Sequence, residues 1–168
     1  DISMRQVLKT KEKTLIAEKC SQHIQSGDSI FLDGSTTCWF VARQLANKNL
    51  TVLTTSLQIA TILAASPTIS LILIGGAFSP KSMAFLGDNA CRALSNYYVD
   101  KAFISCRSVS MENGLTDVSE GEAAIHRLIT QRSNRTYLVV DHSKVGPTSF
   151  AFACGLDSID AIDRKSVV

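Results

Sequence analysis

"SIFLDGSTTCWFVARQLANKNLTVLTTS", residues 29–56, is the stretch that decides the fold. "SIFLD" is short, apolar and rich in strand formers, so it reads as a buried strand. Between Thr37 and Ala46, the residues Cys38, Val41, Ala42, Leu45 and Ala46 recur at helical spacing. "LTVLT" is again a strand, and it runs out in Thr54-Thr55-Ser56. Two buried strands joined through a helix make a βαβ unit, and so a parallel pair. Between the first strand and its helix stands Asp33-Gly34-Ser35-Thr36-Thr37. Two readings of this turn are open. Ser35 or Thr36 can simply cap the helix. Alternatively, the unpaired N–H groups of the helix start, a close backbone approach at Gly34 and three hydroxyls form an anion cradle. The G-x-x-x-x-G-K-[ST] phosphate loop is absent.

The same alternation extends outward. Ile16, Cys20 and Ile24 recur every four positions from Thr14 to Ile24, one face of a helix, and Gly27 marks its stop. Leu57 to Ala65 is a helix ended by Ser66-Pro67. "ISLILI", residues 69–74, is a continuous apolar strand of the kind covered on both faces. "GGAFSPKSMAFLGD" reads as a loop, with Asp88 capping a short helix through Leu94. "VDKAFIS" is a fourth strand, and "CRSVSMENGLTDVSEG" a long polar connection. Ala124, Ile125, Leu128 and Ile129 mark the next helix, "TYLVVD" is a fifth strand, and "SFAFACGLDSIDAID" suggests one or two more. Trp39 and Phe40 read as packing, and Lys9, Lys11 and Lys13, interrupted by Glu12, as a solvated face. The expectation is an α/β fold: one domain over residues 1–168, a mainly parallel sheet with helices on both faces.

In such sheets ligands bind at the carboxyl ends of the strands. Those ends carry Asp33 to Thr37, Thr54 to Ser56, Gly75-Gly76, Ser105-Cys106-Arg107 and Asp141-His142-Ser143-Lys144. All are small, hydroxylated or charged, and parallel topology brings them to one edge. Each also has a plainer role. "TTS" can be a capped turn, the glycine pair a tight turn, Lys144 a surface lysine and His142 a satisfied loop residue. Arg107 can meet a ligand oxygen or hold its own loop. Asp117, Glu120 and Glu122 precede a helix, where acids are favoured electrostatically; one of them can instead meet sugar hydroxyls or act as a base.

The totals exclude several classes. With 168 residues, 45% of them apolar and 19% charged, the chain is neither disordered nor fibrous. Its net charge of +2 does not argue for a nucleic-acid surface. The five cysteines are odd in number, widely spaced and lack a C-x-x-C pair, which points to a reducing, cytoplasmic setting. The three histidines form no metal-ligand spacing with them, so neither metal nor cofactor is expected. No signal peptide is visible, and the apolar run "ISLILIGGAF" is only ten residues. The absence of an initiating methionine suggests a fragment of a longer protein.

Taken in order, "IFLDGSTT", "LTVLTTS", "LILIGG", "AFLG", "VDKAFIS", "GLTD" and "VDHSKVG" closely resemble the C-terminal effector-sensing domain of DeoR-type bacterial repressors. The resemblance runs from about Lys11 to Asp160. It implies a fold like ribose-5-phosphate isomerase and a phosphorylated sugar or similar metabolite as inducer. It further implies a homodimer or homotetramer, with DNA bound only through a winged helix-turn-helix domain absent from this chain. Carried over, the phosphate cradle maps to Asp33, Gly34, Ser35, Thr36 and Thr37, together with Lys144. The sugar side maps to Thr55, Ser56, Gly75, Gly76, Asp100, Arg107, Glu120 and Glu122. At Thr55 the family more often has asparagine, and "SCRSVS" departs from its commoner glycine-rich loop. An acid beside a phosphate is repulsive, so Asp33 is expected to bind a sugar hydroxyl or to fix the loop through backbone N–H groups. The alternative is an aldose–ketose isomerase on the same scaffold, with Glu120 or Glu122 as base and Lys144 beside it. A third reading is a dimerisation module that has lost its ligand.

Overall fold

In the computed structural model, which describes residues 10–163, the quoted stretch forms β1 (Ser29–Leu32), α2 (Thr36–Arg43) and β2 (Leu50–Thr54), preceded by α1 (Thr10–Gln22). The chain continues through α3 (Leu57–Leu63), β3 (Ile69–Leu73), β4 (Ala77–Ser79), β5 (Ala84–Leu86), α4 (Asp88–Leu94) and β6 (Val99–Ile104). It then forms β7 (Ser108–Ser110), β8 (Gly114–Asp117), α5 (Glu120–Gln131), β9 (Ser133–Val139), β10 (Ala151–Cys154) and β11 (Ala161–Asp163). A six-stranded sheet in the order β11-β9-β6-β1-β2-β3 organises the molecule. Every pair in it is parallel. This is the α/β architecture that the alternation predicts.

The strand period sends side chains to two layers. Ile30 and Leu32 pack with Ile16, Cys20, Trp39 and Ile59 from α1, α2 and α3. Phe31, between them, packs on the opposite face with Leu94 and Ile129 from α4 and α5. Phe31, Leu32 and Phe103 are fully buried. Trp39 and Phe40 are core residues, as their helical spacing predicts.

The chain leaves β1 toward β2 and β3, then returns to build β6, β9 and β11 on the other side. β1 and β6 are therefore the switch point, where the ends of adjacent strands lead apart and open a crevice.

Several expectations change. β3 is an edge strand with two of its five positions exposed and none fully buried, not a strand covered on both faces. Its continuous apolar run does not reveal that, among the described residues, no strand pairs beyond it. The "loop" after β3 contains the antiparallel hairpin β4–β5. The polar connection after β6 contains β7 and β8, which pair with β10 in a three-stranded antiparallel sheet. These strands are three or four residues long, too short for a clear period. Gly87, not Asp88, holds the cap position of α4. Lys13 is buried and donates to Thr36 Oγ1, so it is not part of a solvated face. Lys11 is exposed, and Lys9 lies outside the described residues.

Candidate functional site

Asp33 follows β1 and Ser105 follows β6, so the two meet at the switch point. Asp33 Oδ2 accepts a hydrogen bond from the Ser105 N–H at 2.7 Å, and Asp33 Oδ1 accepts from the Ser35 N–H at 3.0 Å. Asp33 thus fixes the turn into α2. Ser35 is the N-cap of that helix, its hydroxyl accepting from the Cys38 N–H at 3.2 Å. Ser35 caps the helix, and Gly34 and Ser35 also line a cavity of about 320 Å³. That volume lies at the small end of the range for ligand pockets.

The cavity walls come from all around the switch point. The strand-end turns give Asp33, Gly34, Ser35, Thr55, Ser105, Cys106 and Arg107, and Lys144 arrives from the turn after β9. The β4–β5 hairpin gives Lys81, Ser82, Ala84 and Leu86; Asp117 and Val118 end β8, and Glu122, Ile125 and His126 project from α5. Gly34 is needed for closure, because a Cβ there would sit 3.0 Å from the Ala84 Cβ.

Beneath the cavity a buried histidine joins two carboxylates. His126 Nδ1 lies 2.8 Å from Asp117 Oδ2, and Nε2 lies 2.9 Å from Asp33 Oδ2. A carboxylate only accepts, so an imidazolium that donates from both nitrogens satisfies the arrangement. Burial by itself would push the His126 pKa down; the charge and hydrogen bond of Asp117, then those of Asp33, carry it well above its ordinary value. Burial would likewise raise Asp33, but the His126 hydrogen bond and charge, with the Ser35 and Ser105 donors, hold it below the usual carboxylate value. Burial pushes the Cys106 thiol up to about 12, so it lines the cavity as a neutral group. The five cysteines are all free.

The remaining expected residues divide. Arg107, Glu122, Thr55 and Lys144 reach the cavity. Thr36 and Thr37 are buried inside the first turn of α2, and the Thr36 hydroxyl receives Lys13, so they offer backbone N–H groups at most. Ser56 is a fully buried N-cap, accepting from the Ile59 N–H at 3.1 Å, and is not at the cavity wall. Gly76 serves packing: a Cβ there would meet the Leu86 carbonyl at 2.7 Å, and neither it nor Gly75 lines the cavity. Asp100 sits at the opposite end of the sheet, accepting from the Ser29 N–H at 2.9 Å. It faces away because β6 ends four residues later, at Ile104. Glu120 is exposed on the first turn of α5 and does not line the cavity.

The sequence reading missed His126, Lys81 and Ser82; it placed Ser105 on the strand-end edge and Asp117 among the candidate acids, and both line the cavity. One signal for His126 was available. It lies on the buried face of α5 with Ala123, Ile125 and Ile129, a titratable group on an apolar stripe. Among the described residues, no group of three or more His, Cys, Asp or Glu is arranged to hold a metal ion. No helix among them is long and apolar enough to cross a membrane.

Residues 8–163 match the family model of the DeoR C terminal sensor domain. The chain belongs to that family. The uncharacterized HTH-type transcriptional regulator YulB of Bacillus subtilis is 36% identical over 164 residues, covering 98% of this chain and 64% of that protein. The HTH-type transcriptional repressor GlcR of the same organism is 34% identical, covering 91% of this chain and 59% of its own. The glycerol-3-phosphate regulon repressor of Escherichia coli is 28% identical, covering 94% and 63%. The chain spans about three fifths of the length of the curated relatives it matches. Its fold is similar to ribose 5-phosphate isomerase A of Methanocaldococcus jannaschii, with TM-score 0.57 and 18% identity over 80% of this chain and 53% of that one. It is also similar to eIF2B beta of Chaetomium thermophilum, with TM-score 0.63 and 16% identity over 92% and 48%. As a DeoR sensor domain the chain is a regulatory module, and its relatives are named as transcriptional regulators and repressors.

Proposed function

We propose that this sensor domain binds a phosphorylated sugar or related metabolite in the switch-point cavity, and so controls DNA binding by an N-terminal helix-turn-helix domain of the whole protein. The observation that carries the reading is the polarity of the cavity. Gly34 and Ser35 at the start of α2, with Lys144 and Arg107, offer an anion site. Asp117 and Glu122 line the same cavity and offer acceptors for hydroxyls. The name of the glycerol-3-phosphate regulon repressor is consistent with a phosphate ester. Binding changes the regulator only if the ligand favours one of two conformations. A homodimer or homotetramer follows from the symmetry of the operators such proteins read.

The test is a thermal-shift screen of the chain against phosphorylated sugars, their unphosphorylated parents and inorganic phosphate. A ligand at about 100 times its Kd stabilises the fold by roughly 2.7 kcal/mol. If no phosphorylated compound raises Tm, the reading fails.

A second reading, an aldose–ketose isomerase, is favoured by one observation: Glu122 and Lys144 line the same cavity. Turnover of ribose 5-phosphate at roughly 1 per second or faster supports it; its absence leaves the sensor.

A further inference from the structure

Among the described residues, two buried serine hydroxyls have no hydrogen-bond partner in the protein: Ser82 Oγ and Ser105 Oγ. Their residues are 7% and 2% exposed, and both line the switch-point cavity. Burying a hydroxyl without a partner is costly, and native chains rarely leave two in one place. A hydroxyl at a cavity wall is satisfied by the molecule that fills the cavity.

Their surroundings differ. The Ser82 turn lies directly on the start of α2. A Cβ on Gly34 would lie 3.0 Å from the Ala84 Cβ and 3.8 Å from the Ser82 carbonyl. The turn is pinned there by backbone hydrogen bonds from the Phe85 N–H to the Thr55 carbonyl and from the Leu57 N–H to the Met83 carbonyl, both 2.9 Å. Met83 adopts a left-handed φ of 55°, a conformation a non-glycine residue holds only where its surroundings enforce it. Lys81, next to Ser82, lines the same cavity. Helix N–H groups, a hydroxyl and an ammonium together are the donors a phosphate monoester takes. Ser105 stands at the end of β6, against the Asp33 carboxylate. Its N–H is bound to Asp33 Oδ2, the same oxygen that receives His126 Nε2. Ser105 is therefore held beside the Asp33–His126–Asp117 brace, where acceptors predominate and a polyol is the matching chemistry.

We propose that Ser82 and Ser105 contact the effector directly and fix its direction: the Lys81–Ser82 turn closes over the phosphate, and Ser105 takes a sugar hydroxyl. This rests on the reading of the cavity as a phosphate-ester site. Lys81 and Ser82 lie outside the strand-end turns; the hairpin brings its own grip to the cavity.

The test titrates the chain calorimetrically with inorganic phosphate, glycerol 3-phosphate and ribose 5-phosphate. Ser82→Ala and Lys81→Met are expected to weaken phosphate and ester alike, by about tenfold to a hundredfold for the loss of a charge-assisted hydrogen bond. Ser105→Ala is expected to weaken the tighter ester about tenfold more than it weakens inorganic phosphate. Without ligand, both alanine variants keep or raise the Tm, because each removes a hydroxyl that has no partner in the protein; this separates lost contact from lost fold. If both alanine variants bind every probe within about twofold of the wild type, the proposal is overturned while the phosphate-ester reading stands. Equal losses for phosphate and ester in Ser105→Ala overturn the direction of the effector. A wild-type chain that binds none of the three overturns both.

Discussion

His126→Leu removes the cation between two buried carboxylates and keeps a side chain of similar bulk. After the change, Asp33 retains the Ser35 and Ser105 donors, at 3.0 and 2.7 Å. Asp117 retains only the long hydrogen bond from the Arg107 N–H at 3.4 Å. Breaking a buried charge pair from one side costs about 3–5 kcal/mol. That is about a fifth or more of the stability of an ordinary domain. At a urea slope of about 2 kcal/mol/M, the midpoint at pH 7 falls by roughly 1.5–2.5 M. The pH dependence gives a second signature. Asp33 has a depressed folded pKa, so its contribution is present above its unfolded value of 3.8 and is lost as the pH falls through the folded value. His126 has a raised folded pKa, so its contribution is present below 6.5 and is lost as the pH rises through the folded value. The wild type is therefore level between those limits, falling below 3.8 and on the alkaline side of 6.5. In His126→Leu the Asp33 carboxyl takes up a proton more readily, so less stability is lost as the pH falls. Urea unfolding at half-unit pH steps measures both effects. A variant whose midpoint stays within about 0.3 M of the wild type, with the same pH profile, refutes the idea that an imidazolium holds the site together, since that change is within the range of an ordinary surface substitution.

Lys144→Ala is expected to weaken phosphorylated ligands at least tenfold more than their unphosphorylated parents, read by calorimetry; equal losses contradict a phosphate role. Gly34→Ala should lower both Tm and phosphate affinity, because the added Cβ meets Ala84 at 3.0 Å and lifts the hairpin turn off α2. Gly76→Ala should lower Tm while leaving the affinity ratio between ligands unchanged, since its clash is with the Leu86 carbonyl and Ala90 rather than with the polar groups of the cavity. Asp100→Asn should cost about 1–2 kcal/mol in urea unfolding through its Ser29 hydrogen bonds and change ligand affinity by less than twofold, which checks that this acid lies at the far end of the sheet.

Strand and helix alternation was legible from residues 29–56 outward because it depends on local periodicity: the pattern that makes Ile30 and Leu32 face one layer and Phe31 the other is written in neighbouring residues. The strand-end rule then placed Asp33, Ser35, Thr55, Arg107 and Lys144 on one edge without coordinates, since parallel strands must end together. What the rule could not supply was direction and depth. Thr36, Thr37 and Ser56 stand at the right chain positions but turn into the core, and Asp100 belongs to the right strand at the wrong end. The edge position of β3 and the hairpins β4–β5 and β7–β8 depend on pairings that short segments do not announce. The charge brace lies furthest from sequence. Asp33 and His126 are 93 positions apart, and Asp117 is nine from the histidine. Local patterns fix which residues are strand or helix. Only packing the sheet against α5 decides that one apolar stripe delivers its histidine between two acids, because that contact exists nowhere along the chain and only in the folded switch point.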